Sequence, residues 1–476
     1  MITARVRASM FARVSAVARS AFTPFAALNT HTAHTAHTAH TAVTAVTALT
    51  LLAVSAVAAS PASAQVTSAS AAALGMGDNY TAAARGYAVV AWNPALLGVS
   101  GNPTFSFQAL TLRTIAGVDP VTLGDLADYQ GEVVPDAVKQ EWLDRITREG
   151  SEQGSSGFDG SWLTLQADQF AFQLSSTGRA IGNISPGIAQ LLMFGNADAT
   201  GAPQAIDLSG SEMIVDAYST AALGFAVPVM KSATGSRLSL GLTAKYTIGH
   251  FLAVGEESTG TSTTDPVGVQ LRFPVVHTPY SDEQGGFEPE TGGGVGVDVG
   301  VAYEMGPWTF SGTVQNVINT FEWRTGDLLF VPGEVLFDQD TTSSDFDTQP
   351  FSAAPQSLQD RVEDMKFKPV FAAGAAYRMS NRLLATADAR FSSTEGIVVG
   401  PTQHVGAGVE FRPLSWLPLR AGAAYIQLGE DNSGTQLSAG LGIHVLGFNL
   451  EAAAARRDLD LGTDTMLMVT LLSRGL

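Results

Sequence analysis

GGVGVDVGVAYEMGPWTFSGTVQN, residues 293–316, decides the fold. In its first half Val295, Val297, Val299, Val301 and Tyr303 alternate with Gly296, Asp298, Gly300, Ala302 and Glu304. In its second half Trp308, Phe310 and Val314 oppose Thr309, Ser311, Thr313 and Gln315, and Gly306-Pro307 stands between the halves as a tight turn. A period of two is the pattern of β-strands whose two faces meet different surroundings. The stretch therefore predicts a hairpin with one fully apolar face and one polar, glycine-bearing face.

The same alternation recurs along the chain. Leu238, Leu240, Leu242, Ala244, Tyr246 and Ile248 oppose Ser239, Gly241, Thr243, Lys245, Thr247 and Gly249. Val405, Ala407, Val409 and Phe411 oppose Gly406, Gly408, Glu410 and Arg412; Leu437, Ala439, Leu441 and Ile443 oppose Ser438, Gly440, Gly442 and His444. About fourteen such segments can be counted, most reaching the ~9 to 11 residues a tilted strand needs to cross a bilayer. Tight turns at Gly306-Pro307, Ser380-Asn381 and Leu446-Gly447 alternate with long insertions at 114–160, 181–210, 256–289 and 324–365. Short turns at one end and long loops at the other are how outer-membrane barrels are built. The fold expected is all-β: an antiparallel transmembrane β-barrel of about 14 strands with an N-terminal plug, periplasmic termini and long extracellular loops. A soluble exported β-protein is the rival, and it requires a second sheet over the Val295, Val297, Val299 and Val301 face.

The N-terminus reads as an export signal. Arg5, Arg7, Arg13 and Arg19 are followed by an apolar core at Leu49 to Ala59 and the small residues Ala62-Ser63-Ala64, so the mature chain is expected to start at Gln65. The expected organisation is residues 1–64 signal peptide with a low-complexity His-Thr-Ala tract, 65–102 plug segment, and 103–476 barrel. The four histidines of HTAHTAHTAHTAVTAVTALT, residues 31–50, read as short-repeat expansion discarded with the signal. Removing the four arginines takes the formal charge from -18 to -22, which argues against nucleic-acid binding. With no cysteine, disulfides and thiol chemistry are excluded.

Two loop segments are more structured than their neighbours. PDAVKQEWLDRITREG, residues 135–150, predicts a helix, with Pro135 and Asp136 at its first turn, Gly150 after its end, and Val138, Trp142, Leu143 and Ile146 on one side. Packing onto neighbouring loops is the plainer reading of that stripe, and capping the outer mouth is the other. ISPGIAQLLMFGN, residues 184–196, is too apolar for a free loop and is expected to fold over the rim or enter the lipid interface. Asp327, Glu334, Asp338, Asp340, Asp345 and Asp347 crowd one long loop without the ligand spacing of a calcium loop, and read as a solvated acidic surface.

No catalytic or metal site is expected. The mature chain holds only His250, His277, His404 and His444, and neither a GxSxG nor an HExxH pattern occurs. No cofactor follows from the sequence. Lys245, Asp298, Asp388, Arg390, Glu410, Arg412, Arg420, Glu451 and His444 fall on the polar face. They fit both a hydrogen-bonded filling of the lumen and the lining of a permeation path.

ALGMGDNYTAAARGYAVVAWNPALLG, residues 73–98, resembles the N-terminal plug of FadL-type outer-membrane barrels, and its Trp92, Asn93, Pro94 and Ala95 stand where that family has its Asn-Pro-Ala motif. GVGVDVGVAYEMGPWTFSGTVQNV and WLPLRAGAAYIQLGEDNSGTQLSAGLGI are similar to later hairpins of FadL-like and PorV-like barrels. Leu96 replaces the motif's usual glycine, and the chain ends MVTLLSRGL without a terminal aromatic residue. The resemblance implies an outer-membrane protein that is not an enzyme, surrounded by lipid. It implies uptake of hydrophobic, fatty-acid-like small molecules captured at the outer loops, passed on by a shift of the plug and released through the wall. The alternative it leaves is a PorV-like, non-transporting anchor or shuttle for a secreted or surface protein. Within the plug, Asn93 is read as bonding locally while Pro94 holds the turn, with Trp92 and Leu96 against the glycine-bearing wall.

Overall fold

The computed structural model describes residues 66–195, 204–233, 235–257, 259–264, 267–279, 290–337, 342–392, 396–397, 401–428, 432–460 and 462–475. The expected signal peptide, its histidine tract, and Asp338 and Asp340 lie outside these residues.

Among the described residues fourteen strands form the barrel: β1 (Phe105–Asp119), β2 (Glu152–Ala167), β3 (Phe170–Ile184), β4 (Glu212–Lys231), β5 (Arg237–Glu256), β6 (Gly292–Met305), β7 (Trp308–Asn319), β8 (Val370–Ser380), β9 (Leu383–Ser392), β10 (Gln403–Leu414), β11 (Leu417–Leu428), β12 (Asn432–Val445), β13 (Phe448–Leu459) and β14 (Gly462–Gly475). Each pairs antiparallel with its neighbour in sequence, and β14 closes on β1 from Ser106↔Gly475 to Gly117↔Asp464. Closure leaves no unpaired edge in the barrel sheet, the condition for a sheet to stand in lipid.

The alternation sorts the faces as a membrane demands. Leu240, Val295 and Leu437 keep 50%, 48% and 60% of their surface exposed on the outside, while Thr243, Lys245 and Asp298 are buried on the inside. Among the described residues no second sheet covers the Val295, Val299 and Val301 face, so the soluble alternative is overturned: an exposed apolar belt around the barrel is stable only in lipid. Aromatic pairs cluster near the short-turn end, with Phe170 on Phe225 at 4.6 Å and Trp308 on Tyr377 at 4.4 Å. That is where aromatic girdles mark the membrane interface. The protein is an outer-membrane β-barrel.

Every connection at one end is short, and Leu446-Gly447 turns with φ of 54° and 81°, the paired positive values of a hairpin whose twist matches its strands. The other end carries the long loops. The first long insertion, expected at 114–160, is shorter: β1 runs on to Asp119 and β2 begins at Glu152. Sequence misplaced this boundary because GSSGFDGS offers small and polar residues on both faces, yet residues 153–159 stay in register with β1.

The loops fold on one another over the long-loop end. A helix spans Asp136–Glu149 and stops at Gly150 with φ 87°. Its Trp142, Leu143 and Ile146 pack with Ala189 and Met193 of a second helix, Pro186–Met193, and with Val121 and Val134. The stripe therefore serves packing, and ISPGIAQLLMFGN supplies its partner. A larger apolar cluster joins Phe321, Trp323, Leu328, Phe330, Phe351, Leu358, Val362 and Phe367 of the 320–369 loop to Tyr218, Leu252 and Val254 of the wall. Phe367 stands edge-on to Tyr218 at 4.9 Å, so this cluster reaches into the barrel mouth. A five-stranded sheet built from the loops, including Val267–Arg272 and Glu334–Phe337, lies apart from the barrel sheet.

Candidate functional site: the filled lumen

Residues 66–99 lie inside the barrel and are buried almost without interruption. Their path is set by what each hydrogen-bonding group meets on the wall. Ser70 donates to Glu451 at 3.0 Å, and the Ala71 amide donates to Thr470 at 3.0 Å, which seats the short helix Ala71–Gly75 against β13 and β14. Asp78 then meets Arg113 at 2.7 Å, and its carbonyl accepts from Arg390 at 3.2 Å. Burial alone would raise the Asp78 carboxyl, but the surrounding Arg113, Arg390, His404 and Arg457 hold it below the ordinary aspartate value. The Thr81 amide donates to Asp388 at 2.7 Å, and Ser311 donates to the Thr81 carbonyl at 2.7 Å. Beyond the rim-level Arg85, which reaches Thr309 at 3.1 Å, the chain climbs again to Trp92.

Asn93 is extended, and its side chain accepts from the Ala95 amide at 3.0 Å, capping the turn of 3-10 helix Pro94–Gly98 with proline at its first position. The Asn93 side-chain Nδ2 donates to the Val301 carbonyl at 3.2 Å and the Gly312 carbonyl at 3.0 Å, so one side chain shapes the turn and pins it to β6 and β7. Asn93 is wholly buried. Replacing it by alanine removes all three bonds and should loosen residues 89–98 by about 1 to 3 kcal/mol, read as faster amide hydrogen exchange there while the barrel amides keep their protection. Unchanged exchange would refute the pinning role.

The glycine-bearing wall receives the Asn-Pro-Ala turn itself, and here the side-chain assignment differs from expectation. A Cβ on Gly241 would fall on the Ala95 amide and the Pro94 carbonyl carbon, and one on Gly300 would fall on the Asn93 side chain with Pro94 Cδ at 3.3 Å. Leu96 and Trp92 turn instead into the apolar cluster of the inserted segment, with Ala171, Ala222, Ala226 and Ala302 from the wall. Trp92 also meets Tyr80 edge-on at 5.8 Å and lies 5.1 Å from the Arg390 guanidinium, a cation–π distance. Backbone thus approaches backbone where the wall has no side chain, the physical reason glycine is tolerated in those strands.

The lumen charges pair with one another on the inner face of the wall. Lys245 meets Asp298 at 2.5 Å and Asn316 at 2.5 Å. Asn316 sits at φ 56° where β7 slips its register against β6 between Val297 and Val299. Arg420 bridges Glu410 and Glu451, each at 2.8 Å, with Arg412 on Glu410 at 2.8 Å and His444 on Glu451 at 3.2 Å. The structure therefore brings Glu410, Arg412 and His444 into one network, Lys245 with Asp298 into a second, and Asp388 with Arg390 onto the inserted segment. Two ion groups escaped the sequence reading: Arg113 with Asp78 and Asp159, and Arg179 with Asp216 at 2.6 Å. Asp159 was hidden by the misplaced loop boundary, whereas Arg179 and Asp216 stood on the alternating polar faces of β3 and β4, a signal that could have found them.

Between the inserted segment and β7, β8 and β9 a void of about 30 Å³ remains, lined by Trp92, Thr81, Gln315, Val370, Arg390 and Ser392 among others. That holds about one water, far below the roughly 150 Å³ of an apolar cavity that admits benzene. Among the described residues no cluster of three His, Asp or Glu side chains is placed to hold a metal ion.

Fold and lumen together define a fourteen-stranded outer-membrane barrel whose N-terminal segment fills its own interior. The chain belongs to DUF5723, a family of unknown function whose model matches residues 124–449. No curated protein matches it. Among solved structures it is similar to the Pseudomonas putida toluene transporter TodX, at 13% identity over 85% of this chain and 98% of that chain with TM-score 0.46. It is also similar to a Pseudomonas aeruginosa FadL homologue, at 13% identity over 87% and 100% with TM-score 0.48, and to the Ralstonia pickettii toluene transporter TbuX, at 12% over 85% and 98% with TM-score 0.47.

Proposed function

We propose that this barrel takes up hydrophobic, fatty-acid-like small molecules through a lumen closed at rest by its N-terminal plug, with the short turns and both chain termini in the periplasm and the long loops outside. The observation that carries the reading lies on the inner face of β4. Tyr218 belongs to the apolar cluster of the outer mouth, while Ala222 and Ala226 on the same face belong to the apolar cluster around Trp92, with Thr220 between them. Apolar surface thus runs from loops to plug with one hydroxyl in between. Because residues 66–99 lie buried across the lumen, passage in this reading requires the plug to shift, and Asn93, Pro94 and Ala95 are the hinge it assigns.

A second reading, an anchor or shuttle for a secreted or surface protein, is favoured by the lumen charges, which seal the interior as buried pairs rather than line an open path. Native purification followed by mass spectrometry of bound lipids, with uptake of labelled oleate by cells bearing or lacking the protein, separates the two. Transport predicts a co-purified apolar ligand and at least a tenfold loss of uptake on deletion. A co-purified protein with no apolar ligand and unchanged uptake establishes the anchor instead.

A further inference from the structure

The two ends of the barrel differ in how their cations are partnered. At the long-loop end Lys139, Arg145, Arg272, Arg324, Arg361 and Lys366 each hold a carboxylate at 2.7 to 3.0 Å. At the short-turn end Lys231, Arg85, Arg237, Arg378 and Arg382 have no ion-pair partner among the described residues. Carboxylates are scarce there. Glu410 is taken by Arg420 and Arg412, Glu304 accepts from the Ser100 amide at 2.9 Å and from its hydroxyl, and Asp168 stands on the neighbouring β2–β3 turn. A chain with a formal charge of -18 thus keeps an uncompensated basic end.

The register gathers these cations along one stretch of rim. Lys231 lies opposite Arg237 and Arg237 opposite Glu304, which in turn lies opposite Thr309, whose hydroxyl Arg85 reaches. Arg378 follows on β8, and the Arg412 amide donates to the Arg382 carbonyl at 2.8 Å. The arc therefore runs from β4 to β10, six strand spacings of about 4.8 Å, or roughly 30 Å of rim. Within it the inserted segment leaves the lumen: Arg237 donates to the Gly98 carbonyl at 3.3 Å, and Ser100 and Gly101 are exposed, as are Lys231, Arg378 and Arg382.

Face and span decide what the arc fits. Arg237 reaches the inserted segment, so it and Lys231 opposite it belong to the inner face. Gly374 faces Asp388 and Thr81 inside the barrel, so Arg378, four residues on, is inward as well. The outward neighbours at this level are Met230, Trp308 and Met379, all exposed. The surrounding leaflet therefore meets apolar side chains, and the cations look past the strand ends into the periplasm. A single carboxylate or phosphate group satisfies one or two of them. An arc of this length instead matches a protein patch of about 800 Å², which is ~30 Å across, where several carboxylates would pair with cations that the barrel leaves unpaired.

We propose that the short-turn face docks a periplasmic protein through an acidic surface, with Lys231, Arg378 and Arg382 as the exposed contacts and the exit of the inserted segment at Ser100 beneath it. The side of the membrane rests on the orientation proposed above; the docking surface does not. A partner so placed lies directly against the segment that leads out of the lumen.

The full barrel in phosphatidylcholine nanodiscs is titrated with fluorescent decaglutamate, which stands in for an acidic protein surface, and read by anisotropy. Binding should weaken as salt is raised. It should fall at least tenfold in the triple variant Lys231→Gln, Arg378→Gln, Arg382→Gln, whose native side chains make no hydrogen bond among the described residues, and return in Lys231→Arg, Arg378→Lys, Arg382→Lys. Decaglutamate binding that the glutamine triple leaves unchanged overturns the site. Absence of decaglutamate binding overturns the protein partner, and phosphatidylglycerol retained by the wild type but lost by the triple in native mass spectrometry then makes the arc a lipid site. Because the chain has no cysteine, a PEG-maleimide too large to cross the outer membrane reads the orientation separately. Lys231→Cys should stay unlabelled in intact cells; labelling there overturns the periplasmic placement of the partner, whatever the outcome for binding or uptake.

Discussion

Gly241→Val will open the barrel. The substituted β5 strand itself gains a residue of high strand propensity, and the outward neighbours Leu240 and Leu242 keep their lipid-facing places. On the inside, however, the new side chain must occupy the position of the Ala95 amide nitrogen, with Ala95 Cα 2.6 Å from the added Cβ. A flexible side chain could swing aside, but this is backbone fixed from both directions by the Asn93 bonds to Ala95, Val301 and Gly312. The overlap therefore exceeds the about 1 to 3 kcal/mol typical of an overpacked side chain. The turn has to leave the wall, and the apolar cluster around Trp92 loses its seat on Ala222, Ala226 and Ala302. In planar bilayers the variant should conduct ions where the wild type is silent, and residues 66–102 should become open to protease from the short-turn side. Ala244→Val, on the outward face of the same strand, should leave both readouts at wild-type values. A silent Gly241→Val barrel with a protected N-terminus would show that the turn does not hold the lumen closed.

The contrast between Gly241 and Arg113 explains what the sequence made legible. A barrel wall repeats one rule at every strand, apolar outward and polar inward, so Val295 to Tyr303 and Leu238 to Ile248 each announce it and the strand count follows from repetition. Glycine on the polar face marks where another backbone approaches, and the approaching chain is the Asn93-Pro94-Ala95 turn. The pairing of charges has no such period. Arg113 and Asp159 lie 46 positions apart and meet only because β2 includes Gly- and Ser-rich sequence that reads as loop, in register with β1. Asp78, which completes that group, comes from the inserted segment, and nothing local couples its position to β1. Loop packing was legible in part: the Trp142, Leu143 and Ile146 stripe called for an apolar partner, and ISPGIAQLLMFGN was too apolar to stand free, but only the folded loops join the two.

Arg420→Met should be the most destabilising single change among the lumen charges. The guanidinium is 3% exposed and serves two carboxylates at once, Glu410 and Glu451, each at 2.8 Å. Removing it leaves Glu410 with Arg412 alone and Glu451 with His444 and Ser70, inside a lumen that water does not freely enter. Breaking a buried pair by deleting one partner costs about 3 to 5 kcal/mol, because the remaining charge keeps its desolvation cost without its attraction. The exposed pair Arg272 and Glu334, at 3.0 Å, is the internal comparison: Arg272→Met should cost about 0 to 1 kcal/mol. Urea unfolding in detergent, followed by heat-modifiable migration, reads both. The triple variant Glu410→Gln, Arg420→Met, Glu451→Gln removes the charges together and should recover most of the loss, since replacing a whole buried ion group is often near neutral. Because Glu451 also accepts from Ser70, the single variant should loosen the start of the inserted segment before the wall gives way, and hydrogen exchange at residues 70–76 should rise at urea concentrations where β10 to β14 remain protected. If Arg420→Met unfolds no earlier than Arg272→Met, the lumen charges are solvated, and the barrel interior is wetter than the pairing distances imply.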